Sequence, residues 1–314
     1  MKRFEYLDAT SVEEAVSALA ERGGKVLAGG TDLLGTLKGN ILPEYPGLLV
    51  NIKNIPGLDF ITEEEGVLRI GALATLTQIA ESVAVRERYG ALATAAAKTA
   101  SLLLRNVGTI AGNICQSNRC WYYWASDNYF HCARKRGGSK CFAPAGESQY
   151  HSIFGLVNRC AAVNPSDTAP ALVVLDAEVV TTKRRLKAED FFSVDCESST
   201  VLAADELVTE IRIPVFSGKS SFIKFAPRKT IDFATVSCAA AVTGGSFRIC
   251  LNAVCGVPMR VVAAEEAMFG KEIDETNAET AGQAAVAGAR PLKQNRYKVN
   301  IAKEMVKRAV LGCA

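Results

Sequence analysis

The chain has 314 residues, of which 49% are hydrophobic and 22% are charged, and its formal net charge is +3. This composition excludes wholesale disorder, and so small a net charge gives no argument for nucleic-acid binding. No apolar run reaches the roughly 20 residues of a membrane-spanning helix, and the first residues lack the apolar core of a secretory signal. We therefore expect a cytoplasmic protein of about two domains that binds neither membrane nor nucleic acid.

The first hundred residues predict alternating helices and strands. Ser11 and Glu14 form a capping box before an apolar pattern of helical spacing, which Gly23 ends. The other elements predicted here are strands over 25–28 and 48–52, a hairpin of 60–61 with 67–70, and an alanine-rich helical region over 77–104.

Regular patterns return after residue 168 and predict a fold of the α+β class. The predicted elements are apolar runs over 169–175 and 178–182, strands over 207–213, 222–225, 235–242 and 246–254, and helices over 261–269, 278–289 and 300–311. We expect one domain over residues 1–180 and a second over residues 185–314.

Three turns rich in small residues are candidates for binding a nucleotide. Residues 28–32 (AGGTD) place two glycines after a strand, which lets a backbone approach a phosphate closely, although an ordinary turn has the same composition. Residues 105–113 (RNVGTIAGN) form a second such turn or a helix end. In residues 165–170 (PSDTAP), Asp167 can accept from ribose hydroxyls or cap a helix. None of them is a Rossmann or Walker motif.

In this order, and with residues 71–73 (GAL) between them, the turns resemble the FAD-binding medium subunits of the molybdenum hydroxylases. This is the flavoprotein group of xanthine dehydrogenase and carbon monoxide dehydrogenase, and the resemblance covers essentially the whole chain. It implies an FAD-binding domain of the vanillyl-alcohol-oxidase (PCMH) type, with two subdomains. A C-terminal domain like that of the carbon monoxide dehydrogenase flavoprotein, an antiparallel sheet with helices, would follow.

The resemblance also implies roles for single residues, all of them in cofactor binding and none of them catalytic. The loop expected to hold the FAD pyrophosphate consists of Leu27, Ala28, Gly29, Gly30, Thr31, Asp32, Leu33 and Leu34. The facing phosphate loop consists of Thr109, Ala111, Gly112 and Asn113. Asp167 is expected at the adenosine ribose, Lys224 near the flavin ring, and Val208 in an apolar segment that flanks the ring.

The ten cysteines fall into two sets. The scattered set lies in apolar sequence and is expected to fill the core: Cys196, Cys238, Cys250, Cys255 and Cys313. The other set lies in or beside the insert 116–160, which has little periodicity, six basic and two acidic side chains, and both tryptophans and both histidines of the chain. A segment of this kind is either functional or disordered, and its aromatic content argues against disorder.

Within the insert, four cysteines are candidate metal ligands: Cys120, Cys132, Cys141 and Cys160. The insert resembles that of the flavin subunits of 4-hydroxybenzoyl-CoA reductase and of a bacterial aldehyde oxidoreductase, where it carries a 4Fe–4S cluster. Four thiolates on a cubane core of charge +2 total −2, which the basic insert offsets. Zinc, free thiols or disulfides are the alternatives, although zinc sites usually use closely spaced pairs. Cys115 is a substitute for Cys120, and His131 and His151 are further candidate ligands.

These features predict an electron-transfer subunit that carries FAD and a 4Fe–4S cluster. Its expected partners are a molybdopterin-binding large subunit and a 2Fe–2S small subunit, in a heterotrimer or a dimer of heterotrimers. NAD or a ferredoxin would be the external electron partner. The alternatives are a stand-alone flavoprotein reductase of the same fold and a zinc-stapled nucleotide-binding module.

Overall fold

The first fifty residues form a small parallel sheet with two helices. The elements of this computed structural model, which describes residues 1–195, 198–228 and 231–314, begin with β1 (Glu5–Asp8), α1 (Val12–Arg22), β2 (Lys25–Leu27), α2 (Leu33–Lys38) and β3 (Leu48–Asn51). The strands pair in the order β1-β3-β2. Ser11 caps α1 by accepting a hydrogen bond from the Glu14 N–H (3.1 Å), so the predicted helix start is confirmed.

A five-stranded antiparallel sheet joins residues from both sides of the insert. Its strands, in the spatial order β4-β5-β8-β6-β7, are β4 (Ile61–Glu64), β5 (Val67–Gly71), β6 (Glu178–Thr181), β7 (Arg185–Lys187) and β8 (Val208–Pro214). An ion pair between Arg69 and Glu210 (2.6 Å) crosses from β5 to β8. The predicted division into residues 1–180 and 185–314 stays a prediction, and this sheet contains strands from both ranges.

Short helices pack on this sheet and form the main core with it. They are α3 (Leu76–Glu81), α4 (Val83–Arg88), α5 (Gly90–Lys98), α6 (Leu102–Arg105), α7 (Ile110–Cys115), α8 (Thr168–Val174) and α9 (Ala188–Phe191). The region 77–104 is therefore helical as predicted, but in four pieces. Ser82 and Tyr89 leave the helical conformation, and Ala100 has a φ of 50°. Because Tyr89 is fully buried, core packing overrides local helix propensity there.

The C-terminal part is an antiparallel sheet with three helices, as predicted. Its elements are β9 (Lys219–Phe225), β10 (Val236–Thr243), β11 (Ser246–Asn252), β12 (Met259–Arg260), α10 (Val262–Met268), α11 (Glu275–Val286) and α12 (Tyr297–Leu311). The strands pair in the order β12-β11-β10-β9. Val236, Cys238 and Ala240 of β10 pack in a core with residues of the three helices, whereas Ala239 and Ala241 belong to the main core. The sheet therefore joins the two cores.

The α+β class is confirmed by these sheets and helices, and so is the burial of the scattered cysteines that the structure describes. Four of them are buried: Cys238, Cys250, Cys255 and Cys313. Burial raises the pKa of the Cys313 thiol to about 11. Cys196 lies outside the described residues. No helix within the described ranges combines the length and the apolar composition needed to cross a bilayer.

The insert 116–160 has almost no regular structure but is packed around a core of its own. A short 3-10 turn (Ser126–Asn128) is its longest helical element. The members of this small core, which include three of the four candidate ligands, are Ile41, Cys120, Tyr123, Cys132, Cys160, Ala162 and Val194. The expectation of an ordered insert is therefore confirmed.

Two asparagines attach the ends of the insert to the rest of the chain. Near its start, the Asn118 N–H donates to Ser199 Oγ (2.9 Å) and the Asn118 amide donates to the Gly256 carbonyl (2.8 Å). Near its end, the amide of the fully buried Asn295 donates to the carbonyl oxygens of His151 (3.0 Å) and Ser152 (2.9 Å). Tertiary hydrogen bonds therefore replace secondary structure in holding this segment.

Asn295→Ala is expected to lower the free energy of unfolding by roughly 1–3 kcal/mol, because the Ser152 carbonyl loses its donor and the His151 carbonyl keeps only that of Lys298. Urea unfolding of the purified chain measures this change. The matched control is Asn300→Ala on an exposed position of α12, which is expected to change stability by less than about 0.5 kcal/mol. Equal effects of the two substitutions would contradict the proposed attachment.

Candidate functional site

The glycine turn between β2 and α2 offers a row of backbone donors. From Ala28 to Leu33, no N–H group has a hydrogen-bond acceptor in the part of the chain that the structure describes. Gly30 has a φ of 71°, a conformation that glycine adopts without steric cost, and the Leu34 N–H closes the turn on the Gly30 carbonyl (3.1 Å). Successive N–H groups in such a turn form a concave anion site. This turn therefore fits a phosphate group.

The second glycine turn packs directly against the first. A Cβ atom on Gly29 would collide with the carbonyl oxygen of Val107 and would lie 3.1 Å from the Cα of Gly108. Only glycine permits this approach, so the contact gives a physical reason for the residue at position 29. Two turns that are far apart in sequence are thus brought side by side, as the nucleotide-binding prediction requires.

At the second turn, side chains are available to a ligand, whereas the first backbone N–H groups of α7 already have acceptors. The N–H groups of the first three residues of α7 donate to the carbonyl oxygens of Ala74 and Ala72 and to Thr109 Oγ1, at 2.9–3.2 Å. Thr109 keeps a hydroxyl proton, and the Asn113 amide N–H₂ has no acceptor within the described residues. These are the hydroxyl and carboxamide groups that the sequence singled out.

Hydroxyl groups on both sides of Asp167 fix the orientation of Asn113. Its Oδ1 atom accepts hydrogen bonds from Ser166 Oγ (2.6 Å) and Thr168 Oγ1 (2.7 Å), and all three side chains are buried. The carboxamide nitrogen is therefore left to donate to another group. The sequence predicted a role for Asp167 but none for the two hydroxyl residues beside it.

Asp167 and Lys224 form a buried ion pair. Lys224 Nζ lies 2.6 Å from Asp167 Oδ2 and also donates to the Lys98 carbonyl (3.0 Å). Burial raises the pKa of the Asp167 carboxyl to about 6, against the opposing effect of Lys224. Asp167 Oδ1 is buried without a hydrogen-bond partner among the described residues, which leaves it able to accept from a ligand hydroxyl.

This ion pair bears on the two roles that the resemblance implies. The resemblance assigns Asp167 to the adenosine ribose and Lys224 to the flavin ring. In FAD, the diphosphate lies between these two groups. The side chains of Asp167 and Lys224 are in direct contact, so the structure brings together two residues that the resemblance assigns to different parts of FAD. Both roles stay predictions. So does that of Val208, a buried residue at the start of β8.

Arg119 joins the glycine turn to the insert, a role that the sequence did not predict. Its guanidinium pairs with the Asp32 carboxylate. It also lies 3.8 Å from the ring centroid of Trp124 and 4.4 Å from that of Phe233, within the range of cation–π contacts. The pairing neutralises the one carboxylate in the row of donors, which favours an anion there. Local sequence patterns could not reveal this contact, because 87 positions separate its partners.

All four candidate cysteine ligands line one pocket. Cys120, Cys132, Cys141 and Cys160 line a small cavity of about 10 Å³, together with two arginines and two tyrosines. Burial raises the pKa of the Cys120 thiol to about 12 and also raises that of Cys160. Binding a metal group here would therefore displace protons from the thiols. Cys115 and both histidines are not among the lining residues.

Within the described residues, no three side chains of the ligating types form a group able to hold a metal ion. The four thiols therefore line one pocket without forming a ready tetrahedral site, in which sulfur atoms lie about 3.8 Å apart, given a Zn–S distance of about 2.3 Å.

Positive charge surrounds this pocket. Arg134 and Arg159 line it, and the Lys135 ammonium lies 4.0 Å from the ring centroid of the adjacent Tyr123. Arg134 is held by hydrogen bonds to the carbonyl oxygens of Asp195 (3.0 Å) and Ser198 (3.2 Å). Burial lowers the pKa of Lys135 to about 8, which still leaves a largely charged ammonium at pH 7. These positive charges favour the binding of an anionic group in the pocket.

Comparisons with known proteins place the chain among FAD-binding subunits. The profile described as "FAD binding domain in molybdopterin dehydrogenase" matches residues 2–216, and that of the "CO dehydrogenase flavoprotein C-terminal domain" matches residues 221–313. The aldehyde oxidoreductase FAD-binding subunit PaoB of Escherichia coli is 35% identical over 96% of both chains. The carbon monoxide dehydrogenase medium chain of Hydrogenophaga pseudoflava is 29% identical over 98% of this chain and 96% of its own length.

A solved structure has the same fold. Carbon monoxide dehydrogenase from Hydrogenophaga pseudoflava, in a form lacking the Mo-pyranopterin moiety, superimposes with a TM-score of 0.77 and 28% identity. The superposition covers 99% of this chain and 97% of the other. The predicted fold class, an FAD-binding domain followed by a flavoprotein C-terminal domain, is therefore confirmed.

Arg119→Ala is expected to lower the free energy of unfolding by roughly 1–3 kcal/mol, because the partly buried Asp32 loses its cation and two rings lose a stacking partner. Arg119→Lys should recover only part of this loss, since an ammonium does not stack as a guanidinium does. Urea unfolding measures both.

The control is Arg136→Ala in the same insert. The Arg136 side chain is 77% exposed and faces an equally exposed Glu44, so this substitution should cost less than about 0.5 kcal/mol. If Arg119→Ala and Arg136→Ala unfold at the same urea concentration, the joining role of Arg119 is wrong.

Proposed function

Since the chain belongs to the FAD-binding subunits of the molybdopterin-dependent dehydrogenases, we propose that it holds FAD at the paired glycine turns and a 4Fe–4S cluster in the cysteine pocket. In this role it passes electrons between a 2Fe–2S subunit and an external partner, NAD or a ferredoxin. It is the flavoprotein subunit of an oxidoreductase, and its partners are the molybdopterin-binding large subunit and the 2Fe–2S small subunit. The cytoplasmic location stays a prediction.

Several groups of the first site support FAD binding. The row of N–H groups from Ala28 to Leu33 and the Asn113 amide provide donors for a diphosphate. Asp167 Oδ1 provides a buried acceptor. The residues proposed to contact FAD are Leu27, Ala28, Gly29, Gly30, Thr31, Asp32, Leu33, Leu34, Thr109, Ala111, Gly112, Asn113, Asp167, Val208 and Lys224.

The flavin, when bound, supplies exchange between two-electron and one-electron carriers. The residues of this chain hold and orient it. The ion pair of Asp32 with Arg119 keeps the phosphate loop next to the insert, and the buried side chains of Asn113 and Asp167 present polar groups from which bulk water is excluded. Rigid placement of this kind fixes the distance between two redox groups.

The single observation that carries the proposal is the convergence of four cysteines, spaced 12, 9 and 19 positions apart, on one pocket. Four thiolates complete the coordination of a cubane, whose net charge with them is −2. Arg134 and Arg159 at the pocket offset that charge, and the tyrosines that line it limit contact of the sulfurs with water. The wide sequence spacing of the four cysteines favours a cluster over zinc, because zinc sites usually use closely spaced pairs.

Gly29→Ala is expected to weaken FAD binding at least about tenfold, because the added methyl group forces the two glycine turns apart. The flavin released from the denatured, purified complex measures retention. Gly35→Ala is the control: a Cβ there meets no atom within 4 Å, and alanine in α2 stabilises by about 0.5–1 kcal/mol. Equal FAD content in the two variants would exclude the turns as the binding site.

Cys132→Ser and Cys141→Ser are each expected to remove about four iron atoms per chain while FAD remains. Elemental analysis of the anaerobically purified complex measures iron and zinc, and iron of the 2Fe–2S subunit provides the internal reference. Cys115→Ser is the control and should retain all iron, because Cys115 is outside the pocket. Unchanged iron in both pocket variants would show the ligand assignment to be wrong, and zinc in place of cluster iron in the wild type would exclude the cluster.

A further inference from the structure

We propose that His151 donates a hydrogen bond to the sulfur of Cys120 and thereby raises the reduction potential of the cluster. The inference rests on the proposed function, because it concerns a ligand of the proposed cluster. It assigns His151 a role as a positioning residue that acts through Cys120 and does not itself bind iron.

The contact joins two buried side chains. His151 Nε2 lies 3.2 Å from Cys120 Sγ, within hydrogen-bond distance for sulfur, and the imidazole is fully buried. Cys120 lines the cysteine pocket, whereas His151 does not. The imidazole therefore approaches the sulfur from outside the space that a cluster would fill, which argues against iron ligation by His151.

The surroundings of the ring leave one consistent assignment of its proton. Nδ1 is buried and has no hydrogen-bond partner among the described residues, so a proton there would be unpaired. On Nε2 the proton meets the Cys120 sulfur. A neutral imidazole carries one N–H, and a thiolate bound to a cluster can only accept, so the contact then requires the proton on Nε2.

Neighbouring groups hold His151 in this position. The backbone N–H of His151 donates to the Ser148 carbonyl (3.1 Å). Its backbone carbonyl accepts from Asn295 (3.0 Å) and from the buried ammonium of Lys298 (3.2 Å). Trp121 meets the ring edge to face, with 5.9 Å between centroids. Both the backbone and the ring are therefore fixed, and the contact to sulfur does not depend on a mobile side chain.

The hydrogen bond distinguishes Cys120 from the other three ligands. Cys160 Sγ accepts a bond from the Ala162 backbone N–H at 3.4 Å, and within the described residues no side chain donates to the sulfurs of Cys132, Cys141 or Cys160. Hydrogen bonds to ligand sulfur withdraw negative charge from a cluster and favour its reduced form. His151 is therefore a side chain, beside the arginines of the pocket, through which this fold raises the potential.

The test compares His151→Leu with His151→Gln in the complete complex. Leucine removes the donor, and glutamine retains an N–H of similar reach. Redox titration followed by low-temperature electron paramagnetic resonance gives the midpoint potential of the cluster. We expect His151→Leu to lower the potential and His151→Gln to restore part of the shift, with iron content unchanged. His131→Leu, which changes the exposed histidine of the insert, should leave the potential unchanged.

A measurement on the wild type keeps the inference testable if a variant fails to assemble. With ¹⁵N-labelled histidine, pulsed electron paramagnetic resonance of the reduced cluster should show a weak coupling to the histidine nitrogen. A coupling of this size is expected when the nitrogen is hydrogen-bonded to a ligand sulfur. No coupling, the strong coupling of a direct Fe–N bond, or an unchanged potential in iron-loaded His151→Leu would overturn the inference and leave the proposed function standing. A wild type without cluster iron would instead remove the proposed function.

Discussion

The contacts of the Arg119 guanidinium hold the two candidate sites next to each other. It pairs with Asp32 of the glycine turn and lies between the rings of Trp124 and Phe233, while its own backbone precedes Cys120 of the pocket. A largely buried cation needs a partner, so the glycine turn and the insert are held together by the cost of separating that charge. This placement of the two candidate sites fits the proposed electron-transfer role.

Much of this arrangement was predictable, because it depends on residue types with few alternatives. Only glycine fits at position 29 against the Val107 carbonyl, so the sequence shows where the backbone comes close. Thiols in an unpatterned, basic and aromatic insert have few roles besides metal binding, and the four that were selected line one pocket. Alternating and helical patterns likewise located the sheets and most helices, since burial of one face imposes them.

Contacts between positions that are far apart in the sequence could not be predicted. Nothing local to Asp167 indicates that Lys224, 57 positions away, pairs with it. The same holds for Asp32 with Arg119 and for Cys120 with His151. The four-part division of the region 77–104 is another case, because the burial of Tyr89 decides it and the alanine-rich sequence favours a continuous helix. Tertiary packing determines each of these features.

Mössbauer spectroscopy of the intact complex, grown with ⁵⁷Fe and handled anaerobically, distinguishes a 4Fe–4S cluster from 2Fe–2S iron. We expect two iron environments, the 2Fe–2S centres of the small subunit and a 4Fe–4S cluster in the pocket of Cys120, Cys132, Cys141 and Cys160. A spectrum that contains only 2Fe–2S iron would contradict this expectation.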